Sequence, residues 1–418
     1  MYKINSVYIQ MTKLFPYPTL IATLIFIMFC SCSKQITNST IPNVPPIVPA
    51  QSGTPVPEDP AAVIYLSAGY SNDLFAVDAT NGAILWSTKV KGTYNTSAAY
   101  TQGTILVKGF DDFQPADISA FGTDGTLKWT YHVPGVFEYN QTALIASDGV
   151  AYTQDRDQII AINVSDGSVK WTCDKPVSED GGSFLNNNTL YANIIEPGSL
   201  FSIDKQTGKL NWSVGTYIPS TPFISGDSIF QADAKYVFIY DAHTGEIKNT
   251  ITSFPTNGPI NIKYGRVFSF DSQTTDSATF SINYPFNYSP SPLIPPGYIN
   301  GSIYPIVADS MVILPYGIFN AFTGDVICTP SPFFYPGTTR PESYGATYVN
   351  HILYYSSCMR SEYDATLAVH YYSDIFAYDV RNKSQLWHVA IENTDLYNVE
   401  PCIVTKSGAI YRGVFTYH

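Results

Sequence analysis

The positions of tryptophan constrain the fold of this chain more than any other sequence feature. The protein has five Trp residues, and four of them follow one another at intervals of 43, 42 and 41 residues: Trp86, Trp129, Trp171 and Trp212. Each ends a similar segment, of which residues 74–86 are the clearest, and Trp387 ends another at 375–387. Chance would scatter so rare a residue, so this spacing predicts a structural repeat.

The repeat continues where Trp is absent. Residues 237–245 and 318–324 resemble the segments before the tryptophans and lead to Asn249 and Cys328 in the tryptophan position. These two positions lie 79 residues apart, which leaves room for one degenerate unit, and we place it at residues 280–283. Each unit also has an upstream pair of apolar stretches around a small turn, so it contains four short strands. The sequence therefore predicts an all-β, eight-bladed β-propeller of four-stranded antiparallel blades, with seven blades as the alternative.

The composition agrees with an all-β chain. Of 418 residues, 32 are Tyr, 28 Gly and 29 Pro, and only 13% are charged, which suits short strands and tight turns better than a coiled coil or a disordered chain. The 34 acidic residues outnumber the 22 Lys and Arg, giving a formal net charge of -12. A chain without a basic surface cannot neutralise phosphates, so we expect no nucleic-acid partner.

The residues before each Trp have the chemistry of a tight turn. In residues 204–212 an Asp precedes Thr-Gly, and Trp follows that Gly by four positions. Asp can accept amide hydrogen bonds in a turn, Gly can adopt positive φ, and the Trp ring can then pack flat between blades. We assign this structural role to Trp86, Trp129, Trp171, Trp212, Trp387, Gly82, Gly125, Gly167, Gly208, Gly245, Gly324, Asp78, Asp204, Asp241 and Asp379.

The pattern Ala-x-Asp-x-x-Thr-Gly-x-x-x-Trp resembles the tryptophan-docking motif of the PQQ-like β-propellers, the family of the quinoprotein dehydrogenases and of BamB-like lipoproteins. The resemblance runs from about Ala61 to the C-terminus. It implies the propeller fold, whereas the cofactor site of the dehydrogenases is separate and includes a pair of adjacent cysteines. No two cysteines are adjacent here. We therefore expect no cofactor, with PQQ and Ca²⁺ as the alternative.

The N-terminus has the features of an export signal. Lys3 and Lys13 precede a ten-residue apolar run at 20–29, which is too short to span a bilayer. The sequence Phe-Cys-Ser-Cys that ends at Cys32 resembles a bacterial lipoprotein signal, in which that Cys is lipidated. We assign residues 1–31 to the signal peptide, 32–60 to a Pro-rich tether and 61–418 to the propeller. Met1 and Met11 are both candidate start residues, and the location is the cell envelope, at the outer membrane and either periplasmic or surface-facing.

No catalytic or metal-binding set stands out in the sequence. The six His residues are dispersed and lack the spacing of metal ligands, so we assign no catalytic or metal residue. Four cysteines remain beyond the signal, Cys173, Cys328, Cys358 and Cys402, and they allow three pairings in an oxidising compartment. A Cys358–Cys402 bridge is one hypothesis, and Cys328 fits a small replacement for Trp.

Two aromatic, Pro-rich segments depart from the repeat. Their rings are candidate binding residues for protein or sugar, and the alternative is that they replace the missing core of the sixth blade: Tyr284, Phe286, Tyr288, Tyr298, Phe333, Phe334 and Tyr335. We expect a noncatalytic binding or scaffold lipoprotein of the bacterial outer membrane that contacts envelope proteins and is held by its lipid. The alternatives are a PQQ-dependent or glycan-directed enzyme that uses the central channel, and a cell-surface glycan-binding protein.

Overall fold

The described part of the chain consists of antiparallel strands. A computed structural model describes residues 59–417 except 69–70, 112–113, 137–143, 155–157, 175–182, 195–198, 216–221, 233–235, 253–259, 264–265, 272–278, 284–287, 291–305, 315–316, 329–344, 357–359, 364–368, 395, 397–399 and 413–414. They belong to one compact unit, Pro57–His418. Within the described ranges, no helix has the length and apolarity needed to cross a membrane.

The strands of the described ranges form eight separate sheets, which we number along the chain. Sheet 1 begins with β1 (Ala61–Ser67), β2 (Asp73–Asp78) and β3 (Ile84–Lys89). Sheet 2 contains β4 (Tyr94–Asn95), β5 (Ala99–Thr101), β6 (Thr104–Phe110), β7 (Pro115–Gly122) and β8 (Leu127–Val136). Sheet 3 contains β9 (Ile145–Ser147), β10 (Val150–Gln154), β11 (Ile159–Asn163) and β12 (Val169–Cys173). Sheet 4 contains β13 (Ser183–Asn186), β14 (Thr189–Ile194), β15 (Ser199–Asp204) and β16 (Leu210–Gly215).

The second half of the chain continues the series. Sheet 5 contains β17 (Phe223–Ser225), β18 (Ser228–Ala232), β19 (Tyr236–Asp241) and β20 (Ile247–Thr252). Sheet 6 contains β21 (Ile260–Lys263), β22 (Arg266–Asp271), β23 (Thr279–Asn283) and β24 (Tyr288–Pro290). Sheet 7 contains β25 (Ile306–Ala308), β26 (Met311–Leu314), β27 (Gly317–Asn320) and β28 (Val326–Cys328). Sheet 8 contains β29 (Ala346–Val349), β30 (Ile352–Ser356), β31 (Arg360–Tyr363), β32 (Val369–Asp379) and β33 (Ser384–Glu392), and the chain ends with β34 (Cys402–Thr405), β35 (Ile410–Arg412) and β36 (Phe415–Tyr417).

Both ends of the chain meet in sheet 1. Seven sheets each come from one continuous stretch of chain, whereas in sheet 1 the C-terminal β34 pairs with β1, with Ile403 opposite Ile64. The strands β35 and β36 extend the sheet beyond β34. The segment at Cys402 therefore completes the N-terminal blade.

The eight sheets form a closed ring. Shared apolar clusters join sheets 8 and 1, 1 and 2, 2 and 3, 3 and 4, 4 and 5, and 7 and 8. The first strands of sheets 5, 6 and 7 contact one another in turn. This arrangement confirms the predicted all-β class and the propeller architecture, with antiparallel blades.

Burial explains the residue choice in each strand. Inner strands such as β11 are covered on both faces and are almost wholly apolar, whereas outer strands such as β16 alternate between half-buried and exposed positions. The outer strand is therefore the solvent-facing edge of each blade, and its inward positions are the ones that reach a neighbouring sheet.

Three sheets add strands to the four of a blade. In sheet 8 the extra residues after Ser356 form β31, which pairs with an extension of β32, with Glu362 opposite His370. In sheet 2 both β4 and β5 pair with β6, and sheet 1 gains β35 and β36. The degenerate unit predicted at residues 280–283 is present as β23.

Candidate functional site

The two ends of each sheet carry different connections. At one end, the turn after the first strand touches the turn after the third: Val164 N donates to Gly149 O at 2.9 Å in sheet 3, and Lys205 N donates to Asn188 O at 3.0 Å in sheet 4. We call the end with these tight turns the turn face. The other end, the loop face, has the connections between second and third strands and those that lead from one sheet to the next, including the long one between β28 and β29.

Five Trp side chains dock on the turn of the next sheet. Trp171 Nε1 donates to Lys205 O at 3.0 Å, and its ring lies against Gly208, where an added Cβ would meet ring atoms at 2.6 Å. Gly208 has a φ of +73°, which a residue with a side chain rarely adopts. The same contacts join Trp86 to Thr123 and Gly125, Trp129 to Val164 and Gly167, Trp212 to Ala242 and Gly245, and Trp387 to Ala79 and Gly82. The last of these docks closes the ring between sheets 8 and 1.

The motif Asp builds the turn on which the Trp docks. Asp204 Oδ1 accepts hydrogen bonds from the Thr207 hydroxyl at 2.9 Å and from the Thr207 and Gln206 amides at 2.8 and 3.0 Å. The hydroxyl of Thr207 is the main cause that holds the pKa of Asp204 below its ordinary value. Gly208 N in turn donates to Asp204 O at 2.9 Å. These groups are engaged within the turn, which gives the motif a packing role.

Other members of the assigned set occupy equivalent turns. In sheet 1, the pKa of Asp78 is lowered chiefly by the Thr80 hydroxyl. The Asp241 carboxylate bonds Lys248 and two turn amides, which lower its pKa to about 2. Asp379 Oδ1 accepts from Asn382 N at 2.9 Å. Gly324 also has positive φ, in a turn that Asn320 organises in place of Asp.

A tyrosine shares the acceptor in three of the docks. Tyr152 OH donates to the same Lys205 O at 3.3 Å, and its ring centroid lies 5.9 Å from that of Trp171. The pairs Tyr191 with Trp212 and Tyr354 with Trp387 repeat this arrangement, at Ala242 O and Ala79 O. The sequence reasoning missed these tyrosines, although their recurrence in the second strand of the blade was a visible signal.

Three consecutive slots lack the tryptophan. In sheets 5 and 7, strand pairing places Asn249 and Cys328 there, opposite Ile239 and Ile318. At the boundary of sheets 7 and 8, the glycine is replaced as well: Lys383 has a φ of +54°, and its amine donates to Ile327 O at 3.0 Å. Cys328 is small enough to leave room for the Lys383 side chain, and its Sγ lies 3.5 Å from Tyr378 OH. The two replacements therefore fit each other.

Three adjacent sheets carry a paired aspartate near the loop face. These residues are Asp73, Asp117 and Asp374. In each sheet the Asp lies three positions before the Ala that pairs with the docking Trp on the outer strand. Asp73 pairs with Lys89 at 2.9 Å, and Asp374 pairs with His388 at 2.6 Å. Asp117 contacts both Lys91 at 2.7 Å and His132 at 3.0 Å. Sequence reasoning missed these pairs, but the recurring Asp-(Leu/Ile)-x-Ala segment could have revealed the acid. Each of the three carboxylates is therefore engaged by a basic side chain.

The closing strands reach across the ring. Arg412 in β35 is buried, and its Nη1 donates to Leu144 O of the sheet 3 segment at 2.7 Å. Its Nε lies 3.6 Å from the Glu400 carboxylate, and Glu400 N donates to Ser97 Oγ at 3.0 Å. The chain ends thus hold sheets 1, 2 and 3 together at the loop face.

Several assigned residues fall outside what the structure describes. Cys32, the candidate lipidation residue, is one of them. The others are Tyr284, Phe286, Tyr298, Phe333, Phe334 and Tyr335. Tyr288 is placed by its backbone alone in β24, opposite Asn283. Cys402 is a free, fully buried thiol, so the hypothesis of a Cys358–Cys402 bridge is wrong. Among the described residues, no three metal-ligating side chains form a cluster.

Comparison with known proteins supports the propeller. The profile of the family described as outer membrane protein assembly factor BamB matches residues 39–250, half of the chain. No curated protein matches the sequence. Three solved structures that resemble the fold are BamB from Moraxella catarrhalis, apo AztD from Citrobacter koseri, and dihydro-heme d1 dehydrogenase NirN in complex with DHE.

These structural likenesses show the fold alone, because the sequence identities are low. BamB is 13% identical to this chain, with a TM-score of 0.50, and the superposed region covers 70% of this chain and 90% of BamB. AztD is 12% identical with a TM-score of 0.51, covering 82% and 97%, and NirN is 8% identical with a TM-score of 0.56, covering 81% and 75%. With the family profile matched over half of its length and the Trp-docked ring in place, the chain belongs to the PQQ-like β-propeller family of outer membrane protein assembly factor BamB.

Proposed function

We propose that the protein is a noncatalytic scaffold of the bacterial outer membrane that binds another envelope protein through the loop face of its propeller. The observation that carries this proposal is the difference between the two faces. The side chains that define the repeat are engaged in docks at the turn face, whereas the longest connections between strands start and end at the loop face. Long loops on a rigid ring are a common arrangement for recognition.

The family supports an envelope location and a protein partner. Its description names outer-membrane protein assembly, and the sequence before the ring has the features of a lipoprotein signal that ends at Cys32. Residues 32–60 form the proposed tether, which at ~3.1 Å per residue could span roughly 90 Å if fully extended. We propose that the lipid at Cys32 holds the protein at the membrane while the tether leaves the loop face accessible.

The aromatic, Pro-rich segments are the proposed contact residues. Tyr298 belongs to the connection between β24 and β25, and Phe333, Phe334 and Tyr335 belong to the connection between β28 and β29. Both connections start and end at the loop face. Aromatic rings in such connections supply the contact area that is enriched at protein interfaces.

The test uses the lipidated protein purified from membranes in detergent. We expect one envelope protein to copurify with the wild type, and Cys32→Ala to move the protein into the soluble fraction. Replacement of Tyr298, Phe333, Phe334 and Tyr335 by Ala together should abolish capture, and dye reduction should stay at background after PQQ and Ca²⁺ are added. Cofactor-dependent dye reduction, or capture of a glycan without any protein, would contradict the proposal.

A further inference from the structure

Asp59 connects three parts of the chain that are far apart in sequence. Its carboxylate accepts hydrogen bonds from Ser407 N at 2.9 Å, from the Ser407 hydroxyl and from the Thr405 hydroxyl. Its carbonyl oxygen accepts from the Asn350 side chain. Asp59 thus links the end of the tether to the turn between β34 and β35 and to the first turn of sheet 8.

These contacts surround the place where the ring closes. The turn at 405–408 belongs to the closing strands, and Lys406 N donates to Pro60 O at 3.0 Å beside the Asp59 contacts. On the neighbouring sheet, Trp387 Nε1 donates to Ala79 O at 3.0 Å and completes the ring between sheets 8 and 1. The tether therefore enters the propeller at its closing seam, which we define as the β1–β34 pair together with the contact between sheets 8 and 1.

Asp124, another aspartate of the turn face, makes its hydrogen bonds within its own turn. Asp124 Oδ1 accepts from the Thr126 amide at 3.1 Å and from the Thr126 hydroxyl at 2.7 Å. The chemistry of these bonds is the same as at Asp59, but they join residues two positions apart. Asp124 is therefore a matched control for the long-range role of Asp59.

We propose that Asp59 is a latch that fastens the tether to the closing strands and to sheet 8, so that the end of the tether is part of ring closure. A pull on the tether then acts on three elements together and does not peel β1 from β34. The mechanical consequence rests on the proposed lipid anchor, whereas the latch itself depends only on the contacts of Asp59. The N-terminal boundary of the folded ring is accordingly Asp59, two residues before β1.

The test compares hydrogen exchange in the full lipidated protein in detergent. We expect Asp59→Ala to speed exchange of the β1 and β34 amides by about tenfold while β15 in sheet 4 is unchanged, because local opening of the seam leaves distant sheets closed. Ser407→Ala should produce the same pattern at smaller size. Asp124→Ala should leave the seam at the wild-type rate.

A second comparison separates the latch from a general loss of stability. If Asp59 acts through Ser407, the double variant Asp59→Ala with Ser407→Ala should exchange no faster at the seam than Asp59→Ala alone. Wild-type exchange at the seam in both single variants, or equal acceleration in all sheets, would overturn the latch. The predicted acceleration at the seam in these variants, together with a wild-type protein that captures no partner, would contradict the proposed function and leave the latch standing.

Discussion

At the scale of single residues, the contact between neighbouring sheets depends on a Trp ring that lies on a glycine, which has no side chain. Trp171 can lie flat on the turn of sheet 4 only because Gly208 has no Cβ, and the same holds at the four other docks. Each indole N–H also finds a carbonyl acceptor, so burial of the ring leaves no polar group unpaired. The glycine therefore serves both the turn conformation and the contact between sheets.

Replacement of two glycines separates these effects. Gly208 and Gly103 both have a φ of +73°, but a Cβ at Gly103 meets nothing within 4 Å. Gly103→Ala should lower the free energy of unfolding by about 1 kcal/mol through backbone strain alone. Gly208→Ala should cost roughly 1–3 kcal/mol more, because the methyl group pushes Trp171 away. Urea unfolding of both variants measures the difference, and equal losses would show that Trp171 does not press on Gly208.

The buried thiol of Cys402 predicts a specific loss of stability at high pH. Burial raises the pKa of Cys402 from 9.0 to about 12, so between these values the unfolded chain releases a proton that the folded chain keeps. The free energy of unfolding should then fall by about 1.4 kcal/mol per pH unit from this group, with its contribution fully present below pH 9. Cys402→Ala should remove that slope while the contribution of the tyrosines remains. Identical pH profiles for the two proteins in urea unfolding would contradict the assignment.

At the scale of elements, the outer strand and the turn of the next sheet act as a matched pair. Five boundaries have Trp and Gly, whereas the boundary of sheets 7 and 8 has Cys328 and Lys383 in these places. The absence of a Cβ is a steric requirement where a Trp ring lies on the turn. The loss of Trp therefore permits a side chain at the turn, and Lys383 uses that freedom to bond Ile327 O.

A double variant can rebuild the missing dock. Cys328→Trp alone should destabilise the protein by roughly 1–3 kcal/mol, because the new ring meets the Lys383 side chain. Adding Lys383→Gly should recover most of this loss, with a favourable coupling of about 1 kcal/mol or more. A thermodynamic cycle from urea unfolding of the four proteins measures the coupling. Additive effects would mean that these two positions do not form the equivalent of a Trp–Gly dock.

The sequence predicted the elements that repeat and missed those that depart from the repeat. Trp is rare, so its spacing located the outer strands, and residues 280–283 located β23 in the degenerate sheet. The extra strands β31 and β36 lack such a marker. The spacing of the tryptophans does not reveal that each Trp contacts the turn of the next sheet, because that contact depends on how the sheets are arranged in space. Pairs such as Asp117 with His132 were missed because cross-strand neighbours lie far apart in sequence.

At the scale of the whole molecule, the ring has one repeated architecture but two different surfaces. The turn face repeats from sheet to sheet and receives the tether at Asp59, while the loop face differs from sheet to sheet in the length of its connections. Closure relies on both chain ends, through the β1–β34 pair, the Trp387 dock and the Arg412 contact with the sheet 3 segment. A ring fastened in this way can hold its loops in fixed relative positions, which a scaffold for a protein partner requires.

The measurement that tests this account most directly is site-specific photo-crosslinking in intact cells. A photoreactive side chain would replace exposed residues one at a time, at Gln114, Asp174 and Asn393 on the loop face and at Ser165 and Lys209 on the turn face. We predict adducts with one and the same envelope protein from loop-face positions and none from turn-face positions. Adducts from the turn face, or the absence of any adduct at all five positions in the lipidated protein, would contradict the proposal that the propeller is a scaffold that binds through its loop face.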